Sequence, residues 1–168
     1  MATNTNVFRG SDGSIVLAVD TGAEGDLAKG VIDSYALTPI GRATGVEVRV
    51  DSDVQPFHEL GQRYPTELRA GNVNVSGSID RAFINGALLK LLLGDAAKSR
   101  PAGAFVNPSF NISLRTENPA RAGVSSSVTV HGVKIDEWSY SLPEDDFVME
   151  QVRFRALWIS VEDTEGSA

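Results

Sequence analysis

The chain contains few side chains that could do chemistry. It has no cysteine and two histidines, His58 and His131. Without cysteine there is no thiolate nucleophile, no disulfide framework and no cysteine-based zinc site. A zinc site or a general base also needs partners that converge at a suitable spacing, and no H-x-H or H-x-x-x-H pattern occurs. Both histidines are therefore predicted to be surface or turn residues.

Other motifs associated with catalysis or cofactors are also missing from the sequence. There is no G-x-S-x-G nucleophile elbow. The Gly10–Gly13 segment lacks the lysine and the helix that a phosphate-binding loop requires. The acidic cluster 144–146 lies near Asp136 and Glu137, but the spacing matches no calcium-binding loop and favours a solvated hairpin turn. We therefore predict a protein that is not an enzyme, with no catalytic residue, cofactor or metal site.

The charge balance argues against tight binding to nucleic acid or insertion into a membrane. The chain has 15 basic and 22 acidic residues and a net charge of −7. Nucleic-acid binders usually present a basic stripe, whereas an acidic surface repels phosphates. The longest apolar run, residues 87–93, is interrupted by Lys90 and is too short to span a bilayer.

The segment 70–94 gives the clearest signal for secondary structure. Val73, Val75, Gly77 and Ile79 alternate with Asn72, Asn74, Ser76 and Ser78. A period of two predicts a strand with one apolar and one polar face. A helix is predicted next, over about residues 81–93, with Asp80 as its N-cap and Gly94 after its last turn.

The predicted helix has apolar residues on two sides. One face is expected to pack on its own sheet and consists of Phe83, Ile84, Ala87, Leu88 and Leu91. The opposite stripe consists of Ala82, Gly86, Leu89 and Leu93. A helix that is apolar on both sides must be covered on both sides. Either it lies deep in the domain, or the second stripe is a subunit interface, which we favour because a chain of this length has little material for a third layer.

The remaining strands define the fold class. Strands are predicted over 14–19, 46–51 and 109–115, followed by a meander of 124–130, 133–142 and 147–161 with turns at 131–132 and 143–146. The continuous apolar run 156–159 predicts either burial on both faces or a bulge. Residues 20–29 and 52–65 are predicted to be loops.

The whole pattern predicts a mainly β protein. We expect a β-sandwich or barrel of about seven or more antiparallel strands with one flanking helix. We further predict a single domain spanning 1–168 with mobile ends at 1–6 and 163–168.

The ordered set of sequence features resembles the tail tube proteins of bacteriophages, especially those with contractile tails. The matching stretches are Val7–Ser14, Ile40–Val48, Phe57–Thr66, Ala70–Gly77, Arg81–Asn85, Leu91–Gly94, and the closing residues Trp138, Pro143–Asp146 and Phe154–Leu157. The resemblance covers most of the chain, from about residue 7 to residue 161.

This resemblance implies a function in virion structure. Hexameric rings of such subunits stack into a β-lined tube that conducts DNA during ejection without binding it specifically. The implied partners are further copies of the chain and sheath, tape-measure and baseplate or terminator proteins. The implied location is the tail of a virion assembled in the host cytoplasm. The resemblance carries no catalytic residue and no cofactor.

The residue patterns and the resemblance together predict three kinds of site. The lumen-facing candidates are Glu47, Asp51, Asn72, Asn74, Ser76 and Ser78. The ring-stacking candidates are Gln55, Phe57, His58, Glu59 and Leu60, with the 20–29 loop and the two termini as further candidates. The subunit-interface candidates are Ala82, Gly86, Leu89 and Leu93. Alternatively, the polar strand faces and the loops are simply exposed to solvent on a monomer.

Two other functions remain open on the sequence. One is a ring-forming secretion tube or effector carrier, which would form isolated rings instead of long stacked polymers. The other is a monomeric ligand-binding β-domain, such as a carbohydrate module. The latter would need exposed aromatics on one face, whereas the two tryptophans lie inside alternating strands.

Overall fold

A computed structural model describes residues 7–121 and 123–164. This part of the chain contains nine strands and two α-helices, together with two short 3-10 turns. In chain order the elements are β1 (Gly13–Val19), α1 (Gly22–Tyr35), β2 (Ala43–Ser52), β3 (Gln55–Phe57), β4 (Glu67–Arg69), β5 (Val73–Ala82), α2 (Ala87–Leu93), β6 (Phe110–Glu117), β7 (Ser125–Ser141), β8 (Met149–Ala156) and β9 (Trp158–Thr164).

Most strands belong to one antiparallel sheet that curls into a half-barrel. The strand order is β1-β6-β7-β8-β5-β2, and β9 pairs with β7 beside β8. The predicted mainly β, antiparallel fold class is confirmed. The expectation of one helix is wrong, because there are two in the described residues. The predicted mobility of the ends is untested: β9 reaches Thr164, and residues 1–6 and 165–168 lie outside the described part.

Strand β7 runs through the position where a hairpin turn was predicted. It is 17 residues long, and Gly132 lies inside it with a positive φ of 65°. A side chain at this position would clash with Leu157, which separates β8 from β9 and donates its N–H to the carbonyl oxygen of His131. The irregularity predicted within 156–159 is therefore present at Leu157, and Gly132 accommodates it from the neighbouring strand.

Helix α1 occupies the segment that the glycines suggested was a loop. Gly25 is required because a Cβ there would collide with the carbonyl oxygen of Asp20. Ala28 and Ile32 on the same helix are buried in the core. Tertiary packing thus overrides the low helix propensity of glycine.

Helix α2 is half as long as predicted. Residues Asp80 to Ala82 belong to β5, and the helix begins only at Ala87. Ala87, Leu88 and Leu91 are buried as predicted, whereas Phe83 and Ile84 are exposed, contrary to prediction. Pairing of β5 with β8 continues to Ala82, so the strand consumes the first part of the expected helix.

The hydrophobic core lies between the apolar face of the sheet and the two helices. Its members share near-complete burial and come from β1, β5, β6, β7, β8 and both helices; they include Leu17, Ile32, Ile79, Leu88, Leu91, Phe110, Ile112, Val130 and Phe154. The sequence assigned Val73, Val75, Gly77 and Ile79 to the apolar face of β5. Val75 and Ile79 are buried as predicted. The assignment of Val73 to the core is wrong: it is 63% exposed, because it lies beyond Val75, the last residue of β5 that pairs with β8.

We expect Gly77→Ala to destabilise the subunit. The new Cβ would lie 2.5 Å from Cζ of Phe154 and would also collide with the carbonyl oxygen of Glu47. Overpacking of this kind costs about 1–3 kcal/mol in the free energy of unfolding. Urea denaturation followed by circular dichroism would measure it. Gly103→Ala is the matched control, since nothing lies within 4 Å of its Cβ position. Equal stability of the two variants would contradict the expectation.

Candidate assembly surfaces

A two-stranded ribbon projects beyond the main sheet. Strand β8 accompanies β5 only as far as the pair Val75–Ala156. Strands β2 and β5 stay paired to Ser52–Val73, and the ribbon then continues as β3 and β4. At about 3.3 Å per residue, the ribbon extends roughly 25 Å past the end of β8. We call residues 53–72 the arm.

The tip of the arm is a defined turn that presents apolar side chains. Gln62 donates its N–H to the carbonyl oxygen of Glu59 at 3.1 Å, and Gly61 between them has a φ of +84°. That conformation favours glycine at the third position of a type II turn. Leu60 beside it is 106% exposed and Tyr64 is 85% exposed. Exposed apolar side chains on an ordered projection are typical of a contact site for another molecule.

The predicted stacking residues all lie on this arm. Gln55 and Phe57 are in β3, while His58, Glu59 and Leu60 form the approach to the turn. All five side chains are exposed. The segment was predicted to be an irregular loop, but it is a continuation of the β2–β5 ribbon. The short strands were missed because Pro56 and the polar residues around it obscure the alternation.

The predicted lumen residues share one polar face of the sheet. Glu47 is opposite Ser78, and Asp51 is opposite Asn74, on the side of β2 and β5 that faces away from the core. Ser76 lies on the same side, and Asn72 immediately precedes β5. The sequence therefore grouped these side chains correctly on one face, apart from Asn72, which belongs to the arm. Their position on a channel wall stays a prediction.

Strand β8 adds basic residues to this face that the sequence analysis did not assign to it. Arg153 is paired with Ser78 and Arg155 with Ser76. Arg153 Nη1 lies 3.6 Å from Glu137 Oε2, and Arg155 Nε lies 3.4 Å from Asp136 Oδ2. The alternation of Gln151, Arg153 and Arg155 with buried residues was the signal that could have located them. The face therefore mixes both charge signs instead of concentrating the acidic excess.

The four predicted interface residues do not form one helical stripe. Ala82 ends β5, Gly86 is the N-cap of α2, and Leu89 and Leu93 are half-buried on α2. A stripe with helical spacing needs a helix from 81 onwards, and the structure has a strand there. Their role as an interface stays a prediction, now resting on Leu89 and Leu93.

A buried ion pair connects β5 with β8. Arg81 Nε donates to Glu150 Oε1 at 2.6 Å, and Trp138 Nε1 donates to Glu150 Oε2 at 2.9 Å. The side chains of Arg81 and Glu150 are 1% and 0% exposed. The Arg81 guanidinium also reaches the carbonyl oxygen of Asn85 at 3.5 Å. This cluster fixes the segment that leads from β5 into α2. The pair was not predicted, because Arg81 was assigned to the first turn of the expected helix and its partner Glu150 is distant in the sequence.

The two histidines lie in different parts of the fold. His131 is stacked on Trp158, with ring centroids 3.8 Å apart, and its Nε2 lies 2.9 Å from Ser160 Oγ. His58 is on the exposed arm, far along the ribbon from this pair. Within residues 7–121 and 123–164, no three His, Cys, Asp or Glu side chains are grouped so that they could hold a metal ion.

Among the residues that the structure describes, no helix combines the length and apolar character necessary to cross a bilayer.

The fold, a curled antiparallel sheet with two helices on its apolar face, is similar to that of several solved structures. Among solved structures, the PVC sheath/tube terminator of an extracellular contractile injection system has a TM-score of 0.63 at 10% identity, covering 95% of this chain and 99% of that chain. The anti-feeding prophage cap, described as the AFP tube terminating cap, has a TM-score of 0.63 at 8% identity, covering 97% and 95%. The SPP1 tail tube has a TM-score of 0.59 at 11% identity, covering 95% and 80%.

The similarity is structural. No protein-family model matches the chain, and a search of curated proteins found no match. The resemblance to tail tube proteins that the sequence suggested is thus confirmed at the level of the fold.

Proposed function

We propose that this chain is a structural subunit of a phage tail tube or related injection tube. In this proposal hexameric rings stack into a channel that conducts DNA during ejection. The observation that carries it is the exposed, apolar-tipped arm projecting from a half-barrel of the tube fold. An arm that contributes no buried side chain to its own subunit has little purpose in a monomer. A non-enzymatic role fits the same observation.

The edges of the half-barrel support ring formation. Within the described residues, β2 pairs only with β5, and β9 pairs only with β7. Exposed strand edges invite pairing with another chain, and closure of a ring removes them. We infer that neighbouring subunits meet along these edges. The polar face with Glu47, Ser76 and Ser78 would then line the lumen.

The lumen proposed here is polar and mixed in charge. Arg153 and Arg155 lie beside Glu137 and Asp136, so their charges are largely compensated within the face. A wall without a net basic stripe offers DNA no strong phosphate-binding track. DNA would therefore pass without specific binding. Sheath, tape-measure and baseplate or terminator proteins are the further partners that we propose, in the tail of a virion assembled in the host cytoplasm.

Electron microscopy of the purified full-length chain tests the proposal. We expect sixfold rings and stacked tubes in negative stain, and a mass by light scattering that corresponds to hexamers or multiples of them. A chain that remains monomeric at all concentrations tested would contradict the proposal.

A tube terminator is the second candidate function. Two of the structures above are a terminator and a terminating cap, and both align with this chain at least as well as the tail tube does. A terminator would form single rings that do not polymerise alone. Tubes built from this chain alone would therefore exclude it.

We expect Leu89→Glu to prevent ring formation without unfolding the subunit. Leu89 is half-buried on α2, whereas Leu88 beside it is fully buried. A carboxylate at 89 remains hydrated in the monomer but would be desolvated at an interface. Circular dichroism and light scattering would measure folding and assembly, with Leu88→Glu as the control that unfolds. Unfolding of Leu89→Glu would show that Leu89 serves its own subunit.

A further inference from the structure

We propose that an apolar surface at the opposite end of the sheet is the receptor for the arm of a second copy of this chain. The surface comprises Phe83, Ile84, Tyr140, Leu142 and Phe147, and we call it the receptor surface. This inference rests on the proposed function, because it names the partner of the arm and the surface that binds it.

The registers place the arm and the receptor surface at opposite ends of one sheet. At one end Ser141 pairs with Met149, Met149 pairs with Ala82, and Ala82 donates its N–H to the carbonyl oxygen of Arg42. Phe83, Ile84 and Leu142 follow these strand ends, whereas Tyr140 is the penultimate residue of β7 and Phe147 lies two residues before β8. The arm leaves from the far end of the same strands, at Ser52 and Val73. Two different apolar surfaces at opposite ends of one sheet predict a head-to-tail contact between copies of the chain. Such a contact can repeat from copy to copy and build an open polymer.

The receptor surface is held in place by the buried cluster beneath it. Trp138, fixed by its hydrogen bond to Glu150, has its ring centroid 5.0 Å from that of Tyr140. The ring of Tyr140 is in turn 5.3 Å from that of Phe83, whose N–H donates to the carbonyl oxygen of Val148. The aromatic series thus runs from the core to the surface. Rigid aromatic anchors lose little entropy on binding and are typical of interface hot spots.

The outer members of this surface have little contact with their own subunit. Leu142 is 68% exposed and Phe147 is 82% exposed. Both flank the turn that holds Glu144, Asp145 and Asp146. Ile84, on the other side, lies next to Gly41 and is also exposed. An apolar patch rimmed by charge is typical of a protein contact site.

Charge favours the arm over a second receptor surface as the occupant. If two receptor surfaces met face to face, their two acidic turns would be brought together, which like-charge repulsion disfavours. The arm tip instead carries one charge of each sign, Glu59 and Arg63, beside the apolar Leu60 and Tyr64, and so brings no net acidic charge to the acidic turn. A head-to-tail arrangement therefore covers the apolar surface without bringing two acidic turns together.

The first test mixes two variants that each lack one half of the contact. The receptor variant is Leu142→Ser with Phe147→Ser, and the armless variant has the arm replaced by Asn-Gly. Each should form single rings alone, because every ring lacks one of the two complementary surfaces. When rings assembled separately are mixed, we expect two-ring stacks, since one ring supplies arms and the other supplies receptors.

The control variant is Phe105→Ser with Val106→Ser, which removes exposed apolar side chains from the 95–108 connection. It should still form tubes. Tubes of normal length from a folded receptor variant would overturn the inference. The inference would also be overturned if the mixture of receptor-variant and armless rings contained only single rings.

A second test separates this inference from the proposed function. The chain has no cysteine, so Leu60→Cys and Phe147→Cys each introduce a unique thiol. Oxidation of an equimolar mixture of the two variants should give the mixed disulfide dimer well above the share expected from random pairing, at which it is about as abundant as the two symmetric dimers together. This excess is expected even if the wild-type chain forms no ring, in which case only the proposed function fails. A mixed dimer at no more than its statistical share would overturn the arm–receptor contact.

Discussion

Replacing the arm with a two-residue turn should leave a folded subunit that forms rings but no tubes. Ser52 and Val73 are directly paired, so Asn-Gly in place of residues 53–72 can close a β-hairpin between them. Every residue from 51 to 74 is exposed, and the arm contributes no side chain to the core. The free energy of unfolding should therefore change by about 1 kcal/mol or less, since loop length has only a weak effect on stability.

Tube length in electron micrographs and thermal unfolding measure the two parts of this expectation. Leu60→Ser with Tyr64→Ser is the matched control that keeps the arm but makes its tip polar. It should shorten tubes as well, because the exposed apolar groups at the tip make the contact. The rest of the arm only spans the distance to the next ring. Tubes of wild-type length from the armless variant would remove the arm from stacking altogether.

Arg81→Met should be among the most destabilising single substitutions in the chain. It leaves the Glu150 carboxylate buried with only the Trp138 N–H as a partner. Removal of one member of a buried ion pair costs about 3–5 kcal/mol, because the remaining charge is desolvated without compensation. Urea denaturation followed by far-ultraviolet circular dichroism would measure the loss.

The double variant Arg81→Met with Glu150→Leu is the informative control. Both charges are then absent, and we expect it to be more stable than Arg81→Met alone, since the unpaired charge is gone. Trp138→Phe should cost less than Arg81→Met, about 1.5–3 kcal/mol, the value of a hydrogen bond to a charged group. A loss of less than about 1 kcal/mol in Arg81→Met would show that the buried pair contributes little.

The same substitution connects stability with assembly. Arg81 reaches the carbonyl oxygen of Asn85, and Asn85 Oδ1 accepts the N–H of Ala87 at 3.2 Å. The Arg81–Glu150 pair thus fixes the segment between β5 and α2, which contains the exposed Phe83 and Ile84. Loss of Arg81 should weaken stacking even under conditions in which the subunit stays folded.

Local sequence patterns determined the strands and the faces they present. The alternation in β2 and β5 placed Val75 and Ile79 in the core and Glu47, Ser76 and Ser78 on the polar side, because side chains of a strand alternate whatever surrounds it. The absence of cysteine and of any histidine motif can likewise be seen directly in the sequence. These features were enough to indicate a mainly β protein and its resemblance to tube subunits.

The tertiary structure decided what depended on pairing between distant segments. Strand β5 continues to Ala82 because Arg81 meets Glu150, a residue far along the chain, and no local signal reveals that partner. Helix α1 contains Gly25 because a Cβ at this position would collide with the carbonyl oxygen of Asp20. From the sequence alone the same glycine indicated a loop. Likewise, Phe83 and Leu142 look like core residues in a strand or helix pattern. Only the positions of the strand ends show that they are exposed opposite the arm, because burial depends on what packs against a side chain and not on its own periodicity.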